Sequence, residues 1–158
     1  MAIDPKKTDP YAAWERGEVK LAFRLFRARA ESGDKNAFLN LGYFYDVGLG
    51  VRKDQAEALR WYRRAARAGD SAAASNIGTV YREAGRHRLA LEWFKRAASM
   101  NDGDAEVEIA KHYLEGMGVA PHRGRAMAAL RRAVASGSIT DDGREEAQSL
   151  LDCMKGPR

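Results

Sequence analysis

The side chains with the widest chemical range in this 158-residue sequence are three histidines, His87, His112 and His122, and a single cysteine, Cys153. Imidazole and thiolate can ligate zinc, and either can act as base or nucleophile. A zinc site needs about four such ligands in one sphere, commonly with two of them a helical turn apart. No two of these residues have that spacing. The patterning instead puts His87 in a short turn, His112 on a helix beside a core tyrosine, and His122 in a loop near Pro121. Gly48-Leu49-Gly50 is a G-x-G, but it reads as a turn between helices, with no strand before it. There is no P-loop and no G-x-S-x-G nucleophile turn. The expectation is no catalytic set, no metal and no cofactor, so the chain should act by binding.

One cysteine cannot form an intramolecular disulfide, which points to a reducing, cytoplasmic setting. Cys153 itself is expected to be a buried or half-buried apolar residue of the last helix. The composition, 45% hydrophobic and 31% charged, is that of a globular chain. No apolar run approaches the ~20 residues that span a bilayer, and no apolar stretch follows Lys6-Lys7 to make a secretory leader.

The net charge is +5, with 19 arginines to 8 lysines. Such a balance admits acidic partners or nucleic acid. The basic residues are spread out, however. Arg60, Arg63, Arg64 and Arg67, with Lys95, Arg96, Arg131 and Arg132, fall on one class of helix and read as a solvated outer face. A single-strand-binding surface would want a continuous basic stripe with aromatic platforms. Here Tyr62 and Phe94 are repeating core residues, so nucleic acid is disfavoured.

The elements that carry these residues follow from a repeat. Ala58-Leu-Arg-Trp61-Tyr62-Arg-Arg-Ala65-Ala66 returns as Ala90-Leu-Glu-Trp93-Phe94-Lys-Arg-Ala97-Ala98, and in weaker form from Ala22 and from Ala126. The leading alanines are spaced 36, 32 and 36 residues apart, a period that marks an α-solenoid. Each unit holds two helical patterns. On the first, Ala37/Leu41/Tyr45, Ala73/Ile77/Tyr81 and Ala105/Ile109/Tyr113 fall on one face, beside Gly42, Gly78 and Ala110. On the second, Ala58/Tyr62/Ala65, Ala90/Phe94/Ala97 and Ala126/Leu130/Ala133 alternate small with large, so antiparallel helices can interlock. Gly33-Asp34 and Gly69-Asp70 read as a helix stop followed by a start. Asp54 with Glu57 makes a capping box, Pro121 suits a first helical turn, and Asp142 with Glu145 could open a final helix.

These residues resemble the Sel-one-like repeat, a relative of the tetratricopeptide repeat. The match runs from Ala37 through Leu41-Gly42, Tyr45, Gly48, Gly50-Val51, Ala58, Trp61-Tyr62 and Ala65-Ala66 to Gly69. The unit from Ala105 keeps Tyr113, Gly116, Gly118-Val119 and Ala126, and the middle unit lacks the G-x-GV loop. The resemblance covers roughly residues 9 to 137. It implies an all-α, right-handed α/α superhelix of about four antiparallel helix pairs, in one domain over residues 9–154. The units are expected at about 9–33, 34–69, 70–101 and 102–137, with a capping helix over 141–154 and loose ends at 1–8 and 155–158. Cysteine-rich relatives have carried a penicillin-binding or β-lactamase label; this sequence lacks their cysteines, and no hydrolytic activity is carried over.

The resemblance also implies a non-catalytic adaptor whose concave groove, built from the first helices, holds a protein or peptide. Residues one or two places off the core stripe point there: Leu39, Tyr43 and Asp46; Ser75, Thr79 and Arg82; Val107, Lys111 and Leu114. Tyr43 would be the aromatic anchor, and Arg82 and Lys111 could receive a carboxylate. Asn40, Asn76 and Glu108 sit at the groove edge. The alternative is an immunity protein that neutralises a toxic effector. The terminal Leu150/Leu151/Met154 face could pack on the last repeat or on a second copy.

Overall fold

Capping side chains set where the helices begin. The computed structural model describes residues 8–155, and among them finds nine α-helices, one 3-10 turn and no strand. Asp9 accepts from the backbone N–H groups of Tyr11 and Ala12 and opens α1 (Pro10–Glu15), which leads into α2 (Val19–Glu31). Asp34 caps the 3-10 turn Lys35–Ala37, which continues as α3 (Phe38–Val47). Asp54 accepts from Ala56 and Glu57 at the start of α4 (Gln55–Arg67). Only half of the expected capping box forms, because the Glu57 carboxylate turns to Arg60 at 3.2 Å. These elements make one compact unit, which ends at Asp70.

The second unit holds α5 (Ser71–Glu83), α6 (His87–Ser99), α7 (Gly103–Glu115), α8 (Arg123–Ala135) and α9 (Asp141–Lys155). Pro121 lies two residues before α8 rather than in its first turn. The N-cap is His122, whose Nδ1 accepts from Arg125 N–H at 3.2 Å. At α9 the cap is the Thr140 hydroxyl, which accepts from Gly143 N–H at 3.0 Å, in place of the Asp142–Glu145 pair expected.

The interlocking of small and large residues accounts for the packing. Pairs α3/α4, α5/α6 and α7/α8 make the broadest contacts within their units. Ala58, Tyr62 and Ala65 of α4, Ala90, Phe94 and Ala97 of α6, and Ala126, Leu130 and Ala133 of α8 are all buried. Gly42 lies flat on the Tyr62 ring and Gly78 on Phe94; a Cβ at either glycine would sit 2.5 or 2.7 Å from a ring carbon. This close approach offsets the poor helix propensity of glycine. The buried face is also wider than the three-residue stripe, since Phe44, Val80 and His112 form a second buried row one place before each tyrosine.

The G-x-GV loops hold their place by backbone contact. Gly118 has φ +69°, and a Cβ there would meet the backbone of His87 and Arg88 at the start of α6. Gly50 makes the same approach to Val19 and Lys20 in the first unit. The loop glycines are thus spacers between successive second helices as well as turn residues.

The last helix buries Ala147, Leu151 and Met154, and half-buries Leu150, against α7 and α8 of its own unit. Cys153 lies off this stripe and is exposed, contrary to expectation. Residues 1–7 and 156–158, expected as loose ends, lie outside the described residues; Thr8 is held by Arg29 Nη2 on its carbonyl at 3.2 Å, and Lys155 closes α9. No helix among the described residues is long and apolar enough to cross a membrane.

Candidate functional site

In the first unit, of the expected groove residues on α3, Tyr43 is exposed and Leu39 is half-buried. Tyr43 is 40% exposed, and Val47, one turn further on, is 48% exposed. Helix α1 packs beside them through aromatic edges. Tyr11 meets Phe26 edge-on at 5.0 Å between ring centres, and Trp14 meets Phe44 at 5.1 Å. The Trp14 ring also lies 5.8 Å from that of Tyr43. Asn40 donates to the Tyr11 hydroxyl at 2.8 Å, so the groove-edge amide positions α1. Tyr11, Trp14 and Tyr43 thus form a fixed aromatic patch with Leu39 and Val47 along its flank. Asp46 does not belong to it, because it accepts a hydrogen bond from the core Tyr62 hydroxyl at 3.2 Å.

In the second unit the expected residues meet a neighbour that sequence spacing did not place. Ser75, Thr79, Val107 and Glu108 line a recess of about 320 Å³, together with Thr140 and Glu146 from the start of α9. Val107 is only 2% exposed, buried rather than presented to a partner. Arg82 and Lys111 are not open carboxylate receivers either. Both engage Glu108, and Lys111 also reaches Glu146 at 2.5 Å. Burial alone would pull the Lys111 ammonium down, but Glu146 and Glu108 outweigh it and hold its pKa above the ordinary lysine value. Ser75 donates to Asp102 at 2.7 Å, and Leu114 is half-buried. The carboxylate that Arg82 and Lys111 were expected to recognise is therefore supplied from within the chain.

The arrangement of paired helices, buried Leu41-Gly42 and Ile77-Gly78, and aromatic second-helix residues is matched in sequence. A model of the Sel1 repeat fits residues 37–70 and again 72–102. The chain has the fold of a Sel1-like repeat solenoid. A solved Sel1 repeat protein from Oxalobacter formigenes overlays with a TM-score of 0.71 at 32% identity, covering 85% of this chain and 55% of that one. The protective antigen c5321 of uropathogenic Escherichia coli, which has the same fold, gives 0.71 at 27% identity over 92% of this chain and 33% of its own. Over 67 residues, 42% of this chain, the solenoid is 36% identical to HRD3A of Arabidopsis thaliana, an ERAD-associated E3 ubiquitin-protein ligase component. It spans a tenth of that protein's length and about half of the Oxalobacter chain.

The solenoid also brings together two histidines that lie 25 positions apart. The rings of His87 and His112 lie 6.3 Å apart, and His112 packs on Phe94 at 5.5 Å. His112 is fully buried in the row otherwise filled by Phe44 and Val80, with Nδ1 2.8 Å from the Glu108 carbonyl. Among the described residues no group of three or more His, Cys, Asp or Glu is placed to hold a metal. Its complete burial makes His112 a core residue. Burial holds its pKa below the ordinary value of 6.5, with His87 and Arg82 adding to the effect. The unfolded chain then takes up the proton first as pH falls. Stability is full above pH 6.5 and declines below it, by up to about 1.4 kcal/mol per pH unit, until the folded-state pKa is reached. Urea midpoints at pH 7.5 and 5.5 should show this loss, and His112→Phe should remove most of it. An unchanged difference in that variant would assign the loss to other groups.

Proposed function

We propose that this solenoid is a non-catalytic adaptor that docks a segment of a partner protein on the aromatic face of α1 and α3. The observation that carries the reading is the exposure of Tyr11 (44%), Tyr43 and Val47 on a rigid, edge-packed platform. Large apolar side chains held open in this way mark interaction sites, and aromatic anchors dominate binding energy where they enter a partner's pocket. Preordered helices also lower the entropy cost of association. The similarity to a ligase component extends over 67 residues, 42% of this chain, and a holding role fits it. The toxin-neutralising alternative has no structural observation in its favour.

The test is affinity capture from the native organism's lysate, with wild type and Tyr43→Ala side by side and retained proteins quantified by mass spectrometry. Arg82→Ala and Lys111→Ala are unsuitable probes, because both side chains hold the second unit together. Truncating one aromatic anchor should weaken a directly bound partner by about 2 kcal/mol, roughly 30-fold in Kd. Equal retention by a variant with an unchanged melting temperature would refute this face as the site.

A further inference from the structure

Helices α6 and α8 both pack on α7 and leave a cleft of about 430 Å³ between them. Its floor is Ile109 and Tyr113 of α7, with Ala98 and Ala128 on the walls. Three cations border it: Lys95, Arg125 and Arg132. Arg132 is committed, forming a two-pronged pair with Glu106 at 2.6 and 2.8 Å. That pair neutralises the one carboxylate that lines the cleft among the described residues. Lys95 and Arg125 lie over the Tyr113 ring, each 5.6 Å from its centre. Among the described residues neither has a carboxylate within ion-pair distance.

The first unit contains the repeat-equivalent cleft over Tyr45, and the comparison is instructive. There the position of Arg125 is held by Glu57 and that of Ser99 by Glu31. Arg27 pairs with Glu31 at 2.8 Å, Arg60 with Glu57 at 3.2 Å, and Arg64 stacks on Phe38 and Trp61. Every cation in that cleft has a partner. The second cleft keeps three cations, with Arg125 at the place of Glu57 and Ala128 at that of Arg60, and has one carboxylate, Glu106, in place of two.

We propose that the α6–α8 cleft is an oxyanion-binding site, taking a carboxylate or phosphoryl group borne on a short apolar stem. Lys95, Arg125 and the Tyr113 hydroxyl would donate to the oxyanion, while Ile109, Ala98 and Ala128 contact the stem. The same field is felt by the phenol: burial would raise the Tyr113 pKa, yet Lys95 and Arg125 outweigh it and bring it below the ordinary tyrosine value. The site is separate from the α1–α3 face and stands or falls independently of it.

The test is an amide-resolved NMR titration of the whole chain with inorganic phosphate, phenyl phosphate and benzoate, each against sodium chloride of equal ionic strength. Saturable shifts confined to α6, α7 and α8 are expected, with phenyl phosphate binding more tightly than inorganic phosphate because of its apolar stem. The order of phenyl phosphate and benzoate would assign the preferred headgroup. Lys95→Gln/Arg125→Gln should weaken binding at least tenfold; it removes only the contacts with the Tyr113 ring and no ion pair, and an anion-free amide spectrum as dispersed as that of wild type shows that the fold is kept. Shifts that follow ionic strength alone, or that persist in the double variant, would overturn the assignment.

Discussion

Replacing Tyr62 with alanine is expected to remove about 3–5 kcal/mol of stability. The ring is among the largest fully buried side chains of the protein. It fills the space that Gly42 leaves on α3, and its hydroxyl donates to Asp46. Gly42 has no side chain to move into the cavity, so collapse from the α3 side is limited. A loss of this size is a large fraction of the ~5–15 kcal/mol that holds a domain of this kind. Tyr62→Phe keeps the ring and removes one hydrogen bond, and should cost only about 1 kcal/mol. Urea denaturation followed by circular dichroism separates the two. If both variants lost the same amount, the hydroxyl rather than the ring would be the main support.

The second large effect is expected at a loop. Gly118→Ala adds a methyl group where the backbone has φ +69° and where the Cβ would sit 2.6 Å from the His87 carbonyl carbon. The left-handed conformation costs about 1–2 kcal/mol for a residue with a Cβ. Forcing the loop off α6 adds about 1–3 kcal/mol, because the obstacle is main chain and cannot change rotamer. Gly85→Ala is the control: its φ is +71°, but nothing lies within 4 Å of the added carbon. It should show only the conformational penalty. Denaturation midpoints of the two variants thus isolate the contact, and equal losses would show that Gly118 serves the turn alone.

How far the sequence foretold this depends on the separation of the interacting residues. The helix pairs were legible because small and large residues recur at fixed offsets, with Gly42 and Gly78 beside the stripe at the points where Tyr62 and Phe94 come closest. The same offsets set Leu39 and Tyr43 one turn apart on α3. The errors lie where a partner comes from elsewhere in the chain. Glu108 captures Arg82 from 26 positions away, and Glu146 captures Lys111 from the last helix. No local pattern marks either pairing. The burial of Val107 and the meeting of His87 with His112 likewise depend on packing. The cleft over Tyr113 was within reach of the sequence, since aligning Arg125 with Glu57 exposes the charge reversal. Cys153 was also readable, because 147, 151 and 154 define the buried stripe of α9 and 153 is not on it.

One carboxylate holds the Thr140 cap at the start of α9. Asp104 receives the Thr140 hydroxyl at 2.7 Å and the Thr140 amide at 3.1 Å, and Gly143 leaves room for it. The corresponding places in the two preceding repeats hold Asn36 and Ala72. Repeat arrays lengthen by duplication, and here the copies are not interchangeable. An interior unit copied directly before α9 would present no Asp104 equivalent to hold that helix. Growth of such an array is therefore favoured upstream, where a new unit leaves the Asp104–Thr140 clasp intact, and one residue in the last repeat constrains where the gene can expand.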